Sequence, residues 1–74
     1  MAELPVISGA RCITALERLG YRVAQKRGSH ARLRCAGRKP ITVPLHYELD
    51  RGTLRAIIRT AGISVDDFLR LLQE

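Results

Sequence analysis

The sequence predicts a small α+β domain in which helices cover one face of a three-stranded antiparallel sheet. Apolar residues recur at helical spacing near both ends of the chain, and they alternate with polar residues in the middle. A sheet with one apolar face must bury that face, and the flanking amphipathic helices can cover it. The chain has 74 residues, and we interpret residues 1–74 as a single domain. The predicted order is α-β-β-β-α-α, with one broken helix as the alternative for the last two.

The first helix is predicted over residues 9–19. Ser8 is a favourable N-cap, and Gly20 follows the last apolar position as a C-terminal glycine would. The apolar stripe between them consists of Cys12, Ile13, Leu16 and Leu19.

The middle of the chain predicts a hairpin and a third strand. Gly28-Ser29 is typical of a hairpin turn, Ala36 to Pro40 predicts a second turn, and a third strand follows over Ile41, Val43 and Leu45. Pro44 cannot donate to a strand ladder, so it indicates an edge strand or the end of pairing. Strict alternation predicts an exposed face that carries Arg22, Ala24, Lys26, His30, Arg32 and Arg34.

Two amphipathic patterns close the chain. One helix is predicted to begin near Thr53 and to stop at Gly62, and Ser64 with Asp67 resembles a capping box that starts the next. The N-terminus of the first of these helices, at Gly52 and Thr53, is a candidate phosphate site, because free N–H groups and the helix dipole attract anions. Thr53 acting only as a helix cap is the alternative.

Positive charge is the strongest functional signal. The net charge is +6 and eleven of the 13 basic residues are arginine. The segment from Arg22 to Lys39 contains seven basic residues and no acidic one. Such a segment in a small basic domain is typical of a nucleic-acid binder, since the guanidinium fork matches phosphate. A merely solubilising surface is the alternative.

Several protein classes are excluded by what the sequence lacks. No apolar run approaches the length of a membrane span, and the stretch Met1 to Pro5 has no export-signal pattern, so we expect a cytoplasmic protein with no membrane partner. Cys12 and Cys35 are expected to be reduced thiols at apolar positions. Their spacing to the two histidines fits no zinc motif, so we expect neither a metal nor a cofactor.

His30 is the candidate catalytic residue. An imidazole changes its charge near neutral pH and can both accept and donate a proton. Cleavage of RNA needs such a group, because the RNA supplies its own 2′-hydroxyl nucleophile and the protein moves protons and stabilises charge. A simple hydrogen bond from His30 to phosphate or backbone is the alternative. Ser29 is either a functional group or a turn residue, and His46 either joins the site or ends the third strand.

The order of several motifs resembles the HicA toxin family, also called YcfA-like mRNA interferases. The resemblance extends from about Ser8 to Leu72 and rests on these segments: Gly20-Tyr21, Gly28-Ser29-His30, Val43-Pro44-Leu45-His46, Gly52-Thr53-Leu54-Arg55-Ala56-Ile57-Ile58, Ala61-Gly62-Ile63-Ser64 and Phe68-Leu69. It implies a fold like that of double-stranded-RNA-binding domains, a ribonuclease toxin that cleaves mRNA with the histidine of Gly-Ser-His, and a HicB-type antitoxin as partner. Gln25 departs from the family, which often has arginine there, and Leu33 stands where an aromatic is frequent.

The sequence therefore predicts a metal-independent endoribonuclease toxin with His30 as general acid or base. The residues expected to bind the RNA backbone are Arg22, Lys26, Arg27, Ser29, Arg32 and Arg34. A non-catalytic RNA-binding module and a domain that binds an acidic or antitoxin protein are the alternative functions.

Overall fold

The order of helices and strands is the predicted one. A computed structural model describes residues 3–74. Its elements are α1 (Gly9–Leu19), β1 (Arg22–Arg27), β2 (His30–Cys35), β3 (Arg38–Pro44), α2 (Arg51–Ala61) and α3 (Val65–Gln73). Met1 and Ala2, part of the stretch used to argue against an export signal, lie outside the described residues. Among residues 3–74, no helix has the length and apolarity that a membrane crossing requires.

The helix ends follow local capping chemistry, with one correction. The Ser8 hydroxyl accepts a hydrogen bond from the Arg11 amide, and Gly20 leaves α1 with a positive φ of 119°, as the sequence predicts. The capping box of Ser64 and Asp67 is also present. α2 begins at Arg51, two residues before Thr53, and the alternative in which Thr53 caps the helix is wrong. Asp50 is the N-cap, and its carboxylate accepts the Thr53 amide at 2.7 Å.

The sheet is antiparallel in the order β1-β2-β3, so β2 is central and β3 lies at an edge. Pro44 is therefore on an edge strand, as predicted. The predicted turn from Ala36 to Pro40 is too long, because β3 already begins at Arg38, which pairs with Cys35. Pro44 can lie on this edge strand because proline has no N–H to donate, and the outer side of an edge strand needs no donor. Leu45, predicted within the strand, lies just beyond its end.

The helices lie on one side of the sheet, where α1 and α2 contact β3. Ala31 and Leu33 of β2 and Ile41 and Val43 of β3 are at most 3% exposed. α2 packs chiefly on β3, and α3 packs on α1. The core extends beyond the predicted elements, since it also buries Leu4, Ile7 and Leu49.

Three arginines connect the layers instead of facing a ligand. Arg18 of α1 donates to the Leu71 carbonyl of α3 at 2.5 Å, and Arg38 of β3 donates to the Ala61 carbonyl at the end of α2 at 2.6 Å. Arg51 Nε donates to the Leu4 carbonyl at 3.0 Å and holds the N-terminal segment against α2. A cation near the last carbonyls of a helix is also favoured by the helix dipole. The total charge therefore overstates how much of the basic surface is available to a partner.

Candidate functional site

His30 lies on the uncovered face of the central strand. Residues directly opposite each other in an antiparallel pair project to the same side. His30 pairs with Arg27 on β1 and with Pro44 on β3, and Arg32 pairs with Thr42. We call this side the open face. It comprises Arg22, Gln25, Arg27, His30, Arg32, Arg34, Thr42 and Pro44.

A β-bulge at Ala24 changes which residues of β1 join the open face. Val23 pairs with Leu33, but the next pair is Gln25 with Arg32, so Ala24 has no partner of its own. One extra residue reverses the side to which every later side chain projects. The prediction that Lys26 shares a face with His30 is therefore wrong, whereas the side predicted for Ala24 is not tested, because Ala24 has no cross-strand partner. Lys26 pairs with the buried Ala31, whereas Gln25 and Arg27 project with His30.

The open face carries positive charge without acidic compensation. No Asp or Glu occurs between Arg22 and Pro44, and every open-face residue except the half-buried Pro44 is exposed. Arg32 Nη1 donates to the Thr42 hydroxyl at 2.8 Å, which orients its guanidinium across the two strands. A guanidinium has five N–H donors, so others remain for an anion. This arrangement suits a chain of phosphates.

The turn before His30 is fixed to the loop after β3. The Leu45 amide donates to the Ser29 carbonyl at 2.7 Å, and the Gly9 amide donates to the His46 carbonyl at 2.9 Å. A Cβ on Gly9 would lie 2.0 Å from the Pro44 carbonyl oxygen, so only glycine permits α1 to approach so closely. Ser29 and His46 thus hold the end of the sheet through their main chains, while the His46 side chain is exposed beside Leu45 and Tyr47.

Gly52 and Thr53 lie in the first turn of α2, where Thr53 lines a shallow cavity together with Thr42 of β3. The Asp50 carboxylate accepts hydrogen bonds from both the amide and the hydroxyl of Thr53, at 2.7 and 2.9 Å. The hydrogen bond from the Thr53 amide has the largest effect in lowering the pKa of the Asp50 carboxyl, and the hydrogen bond from the Thr53 hydroxyl has the next largest. A negative charge of the protein itself therefore occupies the position that a phosphate would need, and we leave this helix end out of the proposed interface.

The two cysteines are chemically different. Cys12 is fully buried, and burial raises the pKa of its thiol to about 12. Cys35 is half-buried at the end of β2, and both are free thiols. Within residues 3–74, no three His, Cys, Asp or Glu side chains come together as potential metal ligands.

Three residues on or beyond the sheet were not assigned a role from the sequence. Gln25 reaches the open face only because of the bulge, and no local pattern signals that bulge. Thr42 orients Arg32 across the β2–β3 ladder. Tyr47 is 96% exposed in the loop after β3. An aromatic residue beside Pro44 and His46 in a basic chain was a signal that could have been followed.

Sequence comparison gives one family. A family model described as HicA toxin of bacterial toxin-antitoxin matches residues 9–63, from the first residue of α1 to just beyond the end of α2. The match leaves out α3, although the resemblance seen in the sequence continued to Leu72. No curated protein matches the chain. Since the match covers more than half of the 74 residues, the chain belongs to the HicA toxin family and is the toxin of a toxin–antitoxin pair.

Proposed function

We propose that this toxin is a metal-independent endoribonuclease that cleaves mRNA, with residues 1–74 acting as one domain in the cytoplasm. The observation that carries the proposal is the position of His30 on the open face. It lies on the central strand between Arg27 and Pro44, next to the row that contains Arg32. Cleavage by the 2′-hydroxyl needs a side chain that transfers protons and cations that stabilise the phosphate. The open face has both, and it carries no acidic side chain that would repel the phosphate.

In this mechanism the 2′-oxygen attacks the phosphorus and the bond from phosphorus to the 5′-oxygen breaks. His30 either accepts the 2′-hydroxyl proton or donates a proton to the leaving 5′-oxygen, and solvent water makes the other proton transfer. Arg27 and Arg32 flank it and stabilise the additional negative charge that develops on the phosphate. Arg22 and Arg34 pair across β1 and β2 further along the open face and bind the backbone on one side of the cleaved bond. Ser29 contributes by fixing the turn that presents His30.

Single-stranded RNA is the substrate that this surface favours. The open face is a sheet surface, and its charges extend from His30 to Arg22 and Arg34 at the opposite end of the strands. Splayed single strands can lie along such a surface with their phosphates on the cations. In a regular RNA duplex the 2′-hydroxyl is not aligned for in-line attack on the neighbouring phosphate.

The antitoxin is the second partner, and we propose that a HicB-like protein covers the open face with acidic groups. Binding would then compete with RNA and stabilise the folded toxin by mass action. A saturating antitoxin is expected to abolish cleavage and raise Tm. Cleavage that continues in the saturated complex would place the antitoxin elsewhere.

The test of the reaction type uses the purified chain with end-labelled single-stranded RNA in EDTA. We expect the protein to cleave the RNA. We expect it to bind a 2′-O-methyl oligonucleotide of the same sequence but not to cleave it. Cleavage of the 2′-O-methyl strand would exclude the 2′-hydroxyl as nucleophile. Binding of both strands without any cleavage would leave a non-catalytic RNA-binding module.

A further inference from the structure

A cleft between the start of α1 and the loop after β3 contains the most exposed aromatic side chain among the described residues. It has a volume of about 320 Å³ and is lined by Ser8, Ala10, Leu45, His46 and Tyr47. Tyr47 is 96% exposed, and Leu45 beside it is 36% exposed. Tyr47 therefore contributes little to the core, unlike Tyr21, whose hydroxyl donates to the Lys39 carbonyl and whose ring is buried.

The position of this cleft relative to His30 is fixed by main-chain hydrogen bonds. The Leu45 amide donates to the Ser29 carbonyl, and the Gly9 amide donates to the His46 carbonyl. The Leu49 amide donates to the Ile7 carbonyl at 2.8 Å. Tyr47 is thus held between bonded residues on either side. It follows Pro44, the cross-strand partner of His30, by three residues. Chain steps of about 3.8 Å and a cross-strand spacing of about 5 Å limit the Cα–Cα distance to roughly 17 Å.

We propose that Tyr47 is a stacking platform for a nucleobase of the RNA held on the open face. The proposal rests on the proposed function and adds a base-contacting residue to its phosphate-binding cations. Exposed aromatic rings next to a cationic surface bind single strands by stacking on bases while the cations hold the phosphates. The apolar wall at Leu45 provides a second surface against which a base can lie. No other aromatic side chain of the described residues is as exposed.

Stacking makes a prediction that separates Tyr47 from the charged residues. Loss of one stacking ring weakens single-strand binding by roughly 5- to 150-fold. Tyr47→Ala is expected to show this loss with an uncleavable 2′-O-methyl oligonucleotide, whereas Tyr47→Phe keeps the affinity. An abasic oligonucleotide of equal length is expected to bind the wild type and Tyr47→Ala equally, since it offers phosphates but no bases.

Intrinsic tyrosine fluorescence tests the contact between Tyr47 and the oligonucleotide independently of affinity. The chain has two tyrosines and no tryptophan, so Tyr21→Phe leaves Tyr47 as the sole strong emitter. We expect the 2′-O-methyl oligonucleotide to quench emission in the wild type and in Tyr21→Phe, but not in Tyr47→Phe. Circular dichroism of each variant controls for folding.

The outcomes distinguish the inference from the function on which it rests. If the wild type binds no oligonucleotide, the proposed function itself fails. If it binds, but Tyr47→Ala binds equally well, or is weakened as much towards the abasic strand, the stacking role alone is overturned. Unchanged RNA affinity with weakened antitoxin binding would assign Tyr47 to the protein partner and would also overturn the inference.

Discussion

Lys26 lies opposite Ala31 in the β1–β2 ladder, whereas its neighbour Arg27 lies opposite His30. Two adjacent cations therefore belong to opposite sides of the sheet. Ala31 is fully buried beneath the helices, so Lys26 projects at the margin of the covered side and Arg27 projects beside the candidate catalytic histidine.

This difference predicts unequal effects of two neighbouring substitutions on RNA binding. Arg27→Ala is expected to reduce the slope of log K against log salt by about 0.7, the value for one phosphate contact in a single strand. Lys26→Ala removes the same charge but is expected to leave the slope nearly unchanged. Fluorescence anisotropy with labelled RNA over a salt series measures both. Equal slopes for the two variants would contradict the placement of the RNA on the open face.

Gln25 is expected to be a position where affinity can be gained. It faces the same side as Arg32, so Gln25→Arg adds a cation to the open face and is expected to steepen the salt slope by about 0.7. Gln73→Arg, at the exposed end of α3, is the matched control because it adds the same charge away from the sheet. An equal gain from both variants would show a non-specific effect of net charge.

The two thiols are expected to react at different rates. Burial keeps Cys12 protonated, with a pKa of about 12, and only a thiolate is an effective nucleophile. In the native protein, iodoacetamide at pH 8 is expected to modify Cys35 well before Cys12. Mass spectrometry after timed quenching locates the label, and denatured protein is the control in which both react. Early labelling of Cys12 in the native state would contradict its buried position.

Asp50 is expected to make stability depend on pH in the acidic range. Its pKa is lowered in the folded protein by the hydrogen bonds from Thr53. A carboxyl of this kind stabilises the fold above its unfolded pKa near 3.9, and that stabilisation is lost as the pH falls through the lower folded value.

Asp50→Asn isolates this effect, because asparagine also caps helices but does not titrate. Urea midpoints at pH 7 and at pH 3 are expected to differ less for the variant than for the wild type. The Asp67 carboxyl, whose pKa is lowered chiefly by its hydrogen bond from Arg70, titrates in both proteins and cancels. An identical acid-induced loss in both would contradict the role of Asp50.

Residues with a local physical signature were predictable from the sequence. Ser8, Gly20 and the Ser64–Asp67 box each act through their own backbone neighbourhood, and the helix ends that they set are confirmed. The side of the sheet occupied by His30 and Arg32 also followed from alternation within β2, where the pattern is regular.

Features that depend on pairing between strands were not predictable. The bulge at Ala24 lies in a segment whose residues from 24 to 27 are all exposed, so no apolar alternation marks the change of side. The early start of β3 depends on the pairing of Arg38 with Cys35. Asp50 was overlooked as a cap because Gly52 and Thr53 resemble a helix start, although they lie inside the first turn.

The most direct test of the account compares wild type, His30→Ala and His30→Gln for cleavage and for binding of the same single-stranded RNA. His30 is exposed, so neither substitution disturbs the core, and glutamine retains a hydrogen-bonding side chain that cannot transfer protons. We predict a 10²- to 10⁴-fold loss of cleavage, roughly the contribution of a general acid or base, in both variants. His30→Gln is predicted to bind RNA like the wild type. Cleavage by His30→Gln at the wild-type rate would show that His30 only contacts phosphate and would contradict the account.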